Sequence, residues 1–341
     1  MEIESLKPAI GSLLHKIGCD NKRFQIKPLA ASGNNRGFLV DTKDGPFFLK
    51  WYFSDYADTR DRLGTEFAFL VHAWETGLRC IPRPLARNSA AHLALYEFVE
   101  GQKLEQNRVD GVAVKQAANF LAALNTKESR VIAQTLPDAS EACFSLREHL
   151  KMVDARLERL RDIPRMSEVD QDALHFATLL ERHWKDVKDD LRKGLLHSGL
   201  SMDATLTTSQ RCLSPSDFGF HNSLMRPDGS LCFIDFEYAG WDDPAKVVGD
   251  FFSQPGIPVP KSYLVDFLDT AFLHHTFTMK LEVRLRLMKP IFKMKWCCIM
   301  LNEFLSASAR RRNFANECCS SDKVKRLQLN KAITLYETFK N

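Results

Sequence analysis

With 341 residues, the chain exceeds the ~250–300 at which a single hydrophobic core stops growing, so two lobes or domains are expected. Hydrophobic residues make up 45% and charged residues 26%, ordinary values that exclude a disordered or fibrous chain. A net charge of +4 is too mild and dispersed for a nucleic-acid binder, and Arg310-Arg311-Arg312 reads as a solvated face.

Ile3, Leu6, Ile10, Leu13, Leu14 and Ile17 recur at helical spacing and Gly18 supplies an end, so a helix is expected first. Met1 to Glu4 lacks the basic start of a secretory signal, which makes a cytoplasmic location the expectation. From Phe24 to Tyr52 short apolar runs alternate with the turn signals SGNNRG and Asp44-Gly45, the pattern of an antiparallel meander. Leu63, Phe67, Leu70 and Trp74 form the stripe of a helix over 58–75 that Gly77 ends. Ile81-Pro82-Arg83-Pro84 then leads into a strand over 93–99.

Beyond Gly101 the pattern is mostly helical. Val114, Ala117, Leu121 and Leu124 form one stripe; Leu146, Leu150, Val153, Leu157 and Leu160 form a second. Ala173, Phe176, Leu180, Trp184, Val187 and Leu191 form a third, and the last two stripes suit a helical hairpin over about 143–196. One interruption stands out: residues 223–226 and 230–234 flank Pro227-Asp228-Gly229, the signature of a small β-hairpin. Helical spacing resumes over 290–304 and 324–339. The apolar run Trp296 to Leu301 is far shorter than the ~20 residues of a membrane helix, so no membrane insertion is expected. The nine cysteines form no C-x-x-C; the adjacent pairs Cys297-Cys298 and Cys318-Cys319 would project about 100° apart on a helix, as reduced thiols without a zinc site.

The stretch SPSDFGFHN, residues 214–222, contains the D-F-G that holds metal in kinases. That reading requires an upstream Asp with Asn five residues later, yet Asp203 is followed by Thr208 and Asp190 by Leu195. With Asp217 as the base instead, Asn222 falls at the required spacing and Asp235 follows after the hairpin. Phosphoryl transfer needs these types: a carboxylate near the attacking hydroxyl, and oxygen ligands that hold Mg²⁺ against nucleotide phosphates.

Lys50, ending Pro46-Phe47-Phe48-Leu49-Lys50, shares a strand face with Phe48 and Tyr52, an unusual setting for a solvated lysine, so its amine is directed toward a cleft. Glu66, on the line Leu63, Glu66, Leu70, borders a buried stripe where an unpaired charge is costly, and Lys50 is the expected partner. The turn around Ser32, Gly33 and Asn34 offers backbone N–H groups to phosphates. Singly each feature has a bland reading, as a surface lysine, a surface ion pair or a plain hairpin turn; their ordered combination does not.

That order resembles the aminoglycoside phosphotransferase and choline kinase group over residues 24–255, most specifically in Ser216 to Asn222 and in IDFEYAGWDDP, residues 234–244. The resemblance implies an α+β, bilobal protein-kinase-like fold. Its N-lobe, residues 1–100, would be an antiparallel β-sheet with one main helix. Its larger, mainly helical C-lobe, residues 101–341, would carry the catalytic loop 214–222, a small β-hairpin, the metal-binding segment 233–237 and the helical insertion at about 143–196. It further implies Asp217 as catalytic base, Asn222 and Asp235 as Mg²⁺ ligands, Lys50 on the phosphates of ATP with Glu66 as its partner, and backbone groups at Glu97 and Val99 meeting the adenine.

The implied reaction is phosphorylation of a small-molecule hydroxyl; a nucleotide-binding pseudokinase, a protein kinase and a nucleotidyltransferase are the alternatives. H-R-D and A-P-E signatures are not seen. Asp243 and Asp250 are read as braces of the catalytic loop. Pro215 replaces the histidine that the family commonly has two residues before its catalytic Asp, which puts the loop's rigidity in question, although proline itself fixes φ. His221 is read as packing or capping the turn. Glu237, Asp242 and Asp243, with Asn302 and Glu303, would suit a cationic or polyhydroxyl acceptor.

Overall fold

The computed structural model describes residues 3–19, 23–29, 35–55, 58, 60–273, 278–306, 314 and 322–339. Helix α1 (Lys7–Lys16) opens the chain after a short 3-10 turn. Strands β1 (Phe24–Pro28), β2 (Arg36–Thr42) and β3 (Gly45–Trp51) form the expected antiparallel meander. Helix α2 (Arg62–Glu75) starts four residues after the expected residue 58, just ahead of the stripe that opens at Leu63, because Asp61 caps it by accepting the Gly64 N–H at 2.8 Å. Gly77, at φ 94°, turns the chain out of the helix.

Strand β4 (Pro84–Asn88) escaped the sequence reading, since Pro82 and Pro84 argue against a ladder; it pairs on one side only, with β5 (Leu93–Glu97). The resulting five-stranded sheet has the order β1-β2-β3-β5-β4. Alternation along β3 sorts its side chains between two layers. Leu49 and Trp51 join Phe38, Val40 and Leu95 against Leu13 and Leu14 of α1, while Tyr52 lies with Leu63, Leu70 and Tyr96 on the α2 side.

A short strand β6 (Gln102–Lys103) leads into α3 (Gly111–Leu124) and α4 (Lys127–Ile132). Helices α5 (Leu146–Leu160) and α6 (Glu168–Leu195) form the expected pair, each opened by a capping box, Ser145 with Glu148 and Ser167 with Asp170. Strand β7 (Cys212–Ser214) precedes the hairpin of β8 (Ser223–Met225) and β9 (Leu231–Phe233), which β6 extends to three strands. Strand β10 (Gly240–Asp242) pairs back onto β7.

Helices α7 (Pro244–Ser253) and α8 (Leu264–Ala271) were not anticipated, because α7 is buried all round and shows no clean stripe. Helix α9 (Thr278–Leu301) contains Pro290 and packs on α5, α6 and α7, and the final helix (Asp322–Glu337) packs on it. Close approach of α7 and α9 depends on Gly249, where a Cβ would stand 2.0 Å from the Phe292 ring. The architecture is the expected α+β, bilobal kinase-like one, with the sheet lobe over a larger helical lobe. Among the described residues no helix is long and apolar enough to cross a membrane.

Candidate active site

Strand β3 pairs with β2 and β5 on either side, so the Lys50 side chain has a fixed direction, toward α2 and the start of the C-lobe. Its Nζ lies 2.7 Å from Glu66 Oε2 and 2.6 Å from Asp235 Oδ1. Glu66 is pinned in turn: Oε2 accepts the Tyr52 hydroxyl at 2.8 Å and Oε1 the Phe236 N–H at 3.2 Å. Burial disfavours the ammonium, but Asp235, Glu66 and Glu237 outweigh it and hold the Lys50 pKa well above the ordinary lysine value. Lys50 is therefore a buried cation clamped between a carboxylate of the sheet lobe and one of the helical lobe.

The catalytic-loop stretch owes its shape to alternating burial. Phe218 and Phe220 point down into an aromatic cluster with Phe233 and Phe251, leaving the half-buried Asp217, His221 and Asn222 on the cleft side. Asn222 Nδ2 donates to the Asp217 carbonyl at 3.0 Å and to Asp217 Oδ2 at 3.3 Å. His221 Nε2 lies 3.2 Å from Asp217 Oδ1. Gly219 makes room for that ring, since a Cβ there would stand 2.7 Å from the imidazole. Burial would raise the Asp217 carboxyl, but His221 and Asn222 bring it below the usual value; burial would lower His221, and Asp217 raises it.

Two non-glycine residues adopt left-handed backbone here, Ser216 at φ 66° and Asp235 at φ 68°. Such conformations cost about 1–3 kcal/mol and persist where the surroundings fix them. Ser216 N–H donates to Ser214 Oγ at 2.8 Å, and Lys246 Nζ donates to Ser216 Oγ at 3.1 Å. Asp235 is held by Lys50 and by the bond from Ile234 N–H to the Asn222 carbonyl, 2.9 Å, which ties the hairpin to the loop.

Lys50, Glu66 and Asp235 thus come together in one cluster, and Asp217 and Asn222 form a second that the Ile234 bond joins to the first. Glu97 is exposed at the end of β5, its carboxylate accepting the Arg83 N–H at 3.2 Å and its own N–H donating to the Arg83 carbonyl at 2.9 Å. Val99 follows in the connection to β6, half-buried. Ser32, Gly33 and Asn34 lie outside the described residues, as do Arg310, Arg311 and Arg312.

The expectation that Glu237, Asp242 and Asp243 face an acceptor is corrected by their burial, 1%, 0% and 0% exposed. Glu237 accepts from Asn35 Nδ2 at 2.6 Å, and Asp242 pairs with Lys246 at 2.6 Å. Asp243 caps α7 and holds Arg284 at 2.6 Å and His149 at 3.1 Å. Asp250 binds Lys295 and Trp296 Nε1, the latter at 3.1 Å, and Lys246 stands 3.8 Å away. The braces beneath the loop are therefore ion pairs, with Lys246 steadying Ser216 next to Pro215. Lys246 was missed although its spacing was legible: it lies four residues from both Asp242 and Asp250. Lys295, Arg284 and His149 reach the site from distant segments and leave no local signal.

Beside Asp217 opens a cavity of about 510 Å³ whose walls include His221, Tyr238, Gln254, Trp296, Asn302 and Glu303. Asn302 and Glu303 thus border the cleft where the sequence placed them.

No curated protein sequence matches the chain. Among solved structures it is similar to a choline kinase from Cryptosporidium parvum Iowa II, at 10% identity and a TM-score of 0.62, covering 99% of this chain and 96% of that one. A spectinomycin phosphotransferase, APH(9)-Ia, solved with ADP and spectinomycin, gives 14% identity and a TM-score of 0.59 over 95% of this chain and 98% of that one. Choline kinase LicA from Streptococcus pneumoniae gives 16% and 0.57, over 98% of both chains. At these identities the likeness is one of fold. The model of the phosphotransferase enzyme family matches residues 25–276, well over half of the sequence and a span that includes Lys50, Glu66, Asp217, Asn222 and Asp235, so the chain belongs to that family and is a phosphotransferase.

Proposed function

We propose that the protein transfers the γ-phosphoryl group of ATP to a hydroxyl of a small-molecule acceptor, with Mg²⁺ as cofactor. The observation that supports this most is the meeting of Lys50 and Glu66, from the sheet lobe, with Asp235, beside the Asp217–Asn222 loop. In this reading Lys50 lies along the nucleotide phosphates, Glu66 fixes its direction, and the turn at Ser32 to Asn34 covers them. Backbone groups of Glu97 and Val99 meet the adenine. We also place the division between the lobes at residues 100 and 101.

The donor set suits a hard cation. Asn222 spends Nδ2 on Asp217, leaving Oδ1, and Asp235 spends Oδ1 on Lys50, leaving Oδ2. Mg²⁺ is commonly held by one or two protein oxygens with phosphates and water completing the shell, and Asn222 Oδ1 and Asp235 Oδ2 would be those oxygens here. When bound there, Mg²⁺ supplies charge neutralisation on the phosphates.

Asp217 takes the acceptor's hydroxyl proton as the acceptor oxygen bonds to the γ-phosphorus; the bond from that phosphorus to the β–γ bridging oxygen breaks, and ADP leaves. Such proton transfer contributes typically ~10²–10⁴-fold. A screen of hydroxyl acceptors with labelled ATP, followed by mass spectrometry, tests the reading. A mass gain of one phosphoryl group is expected. A nucleotidyl-sized gain would make the protein a nucleotidyltransferase, and nucleotide binding without transfer would leave a binding module.

A further inference from the structure

The cavity beside Asp217 is lined by several cations. Arg60, Arg156, Arg159, Lys246, Lys295 and Lys331 contribute six cations, against the four carboxylates Glu141, Asp217, Asp250 and Glu303. Most of these cations are engaged: Arg60 on Asp58, Arg156 on Glu141, Lys246 on Asp242 and Lys295 on Asp250. Arg159 of α5 and Lys331 of the final helix make no ion pair with a carboxylate among the described residues, although Glu141 acts on Arg159 from nearby, and both line the cavity. Burial, together with Arg156 and Arg60 beside it, presses the Arg159 guanidinium below its ordinary value. Cations also act on Glu141 in the same wall: burial would raise it, yet Arg156, Lys295 and Lys246 lower it to about 2.

The aromatic rings that a quaternary ammonium would use are already taken. Arg60 stands 5.5 Å from the centroid of Tyr238, and Lys295 stands 5.7 Å from that of Trp296. The carboxylates of the acidic run after the hairpin, Glu237, Asp242 and Asp243, are closed off by internal partners.

We propose that the acceptor carries an anionic group, phosphate or carboxylate, that docks on Arg159 and Lys331 while its hydroxyl meets Asp217. Guanidinium matches either oxyanion through paired hydrogen bonds. The proposal rests on the phosphotransferase reading and specifies its substrate class; the chemistry at the γ-phosphorus is the one already written, with the anion left intact.

Titration calorimetry on the full chain, with and without ADP and Mg²⁺, compares ribose 5-phosphate and 3-hydroxybutyrate with ribose, choline and kanamycin. The anionic probes are expected to bind at least about tenfold more tightly than ribose, and the two of them separate a phosphate site from a carboxylate site. Arg159→Glu with Lys331→Glu is expected to abolish that advantage, and Arg159→Lys, which keeps the charge and loses the fork, to keep only part of it. Tighter binding of choline or kanamycin, or an anion advantage that survives the double substitution, overturns the proposal. The ADP titration is read separately: absence of ADP binding strikes the phosphotransferase reading and leaves the anion comparison to stand on its own result.

Discussion

Two sets of aspartates lie within the same short reach of chain and behave in opposite ways. Asp217 and Asp235 border the cleft, their side chains 35% and 28% exposed, each with partners on one edge and room on the other. Asp242, Asp243 and Asp250 are fully buried, each fixed on a lysine or arginine from α7 or α9. A buried ion pair is a costly arrangement that holds geometry, and its loss exposes an uncompensated charge. The contrast indicates that the open pair acts on ligands while the closed trio sets the position of the loop that carries Asp217.

Breaking the closed set should have the largest effect on stability. Asp243→Ala removes the cap of α7 and strands Arg284, and a loss of about 3–5 kcal/mol is expected from denaturant unfolding. On the open side, Lys50→Met strands the buried Glu66 and costs stability as well, and it should weaken ADP binding about tenfold or more, the scale of a charged hydrogen bond worth about 1.5–3 kcal/mol, as calorimetry would read it. Ser216→Ala removes only the Lys246 contact, so about 1 kcal/mol is expected to go, with a larger proportional effect on turnover if the loop shifts.

The smallest effect sharpens the comparison through pH. Burial would raise the Asp243 carboxyl, but Arg284 and His149 depress it far below 3.8. A depressed acid contributes stability that is present above its unfolded value and lost as pH falls through the folded one. The wild type should therefore lose stability below about pH 4 more steeply than Asp243→Asn, in unfolding curves collected from pH 5 downward.

Much of this was legible in the sequence because the informative residues sit at fixed local spacings. The meander, the helical pair α5 and α6, the hairpin and the Asp217, Asn222, Asp235 order all follow from period, turn chemistry and short-range distance. Lys50 and Glu66 could be paired because a strand and a helix each give one direction to a side chain, and the two directions met. Helix α7 was hidden because full burial erases the stripe, and β4 because its prolines mimic a loop. The acceptor side was misread for a related reason: the acidic run after the hairpin is conspicuous, but the cations Lys246 and Arg284 and the amide of Asn35 close it off. The cations that line the cavity instead come from five separate segments, and no local pattern joins them.

The most direct test of the division between open and closed carboxylates is phosphoryl transfer from labelled ATP by Asp217→Asn, with its melting curve taken on the same sample. The account predicts transfer slowed about 10²–10⁴-fold while ADP affinity and melting temperature stay at their wild-type values. Turnover equal to wild type would contradict it.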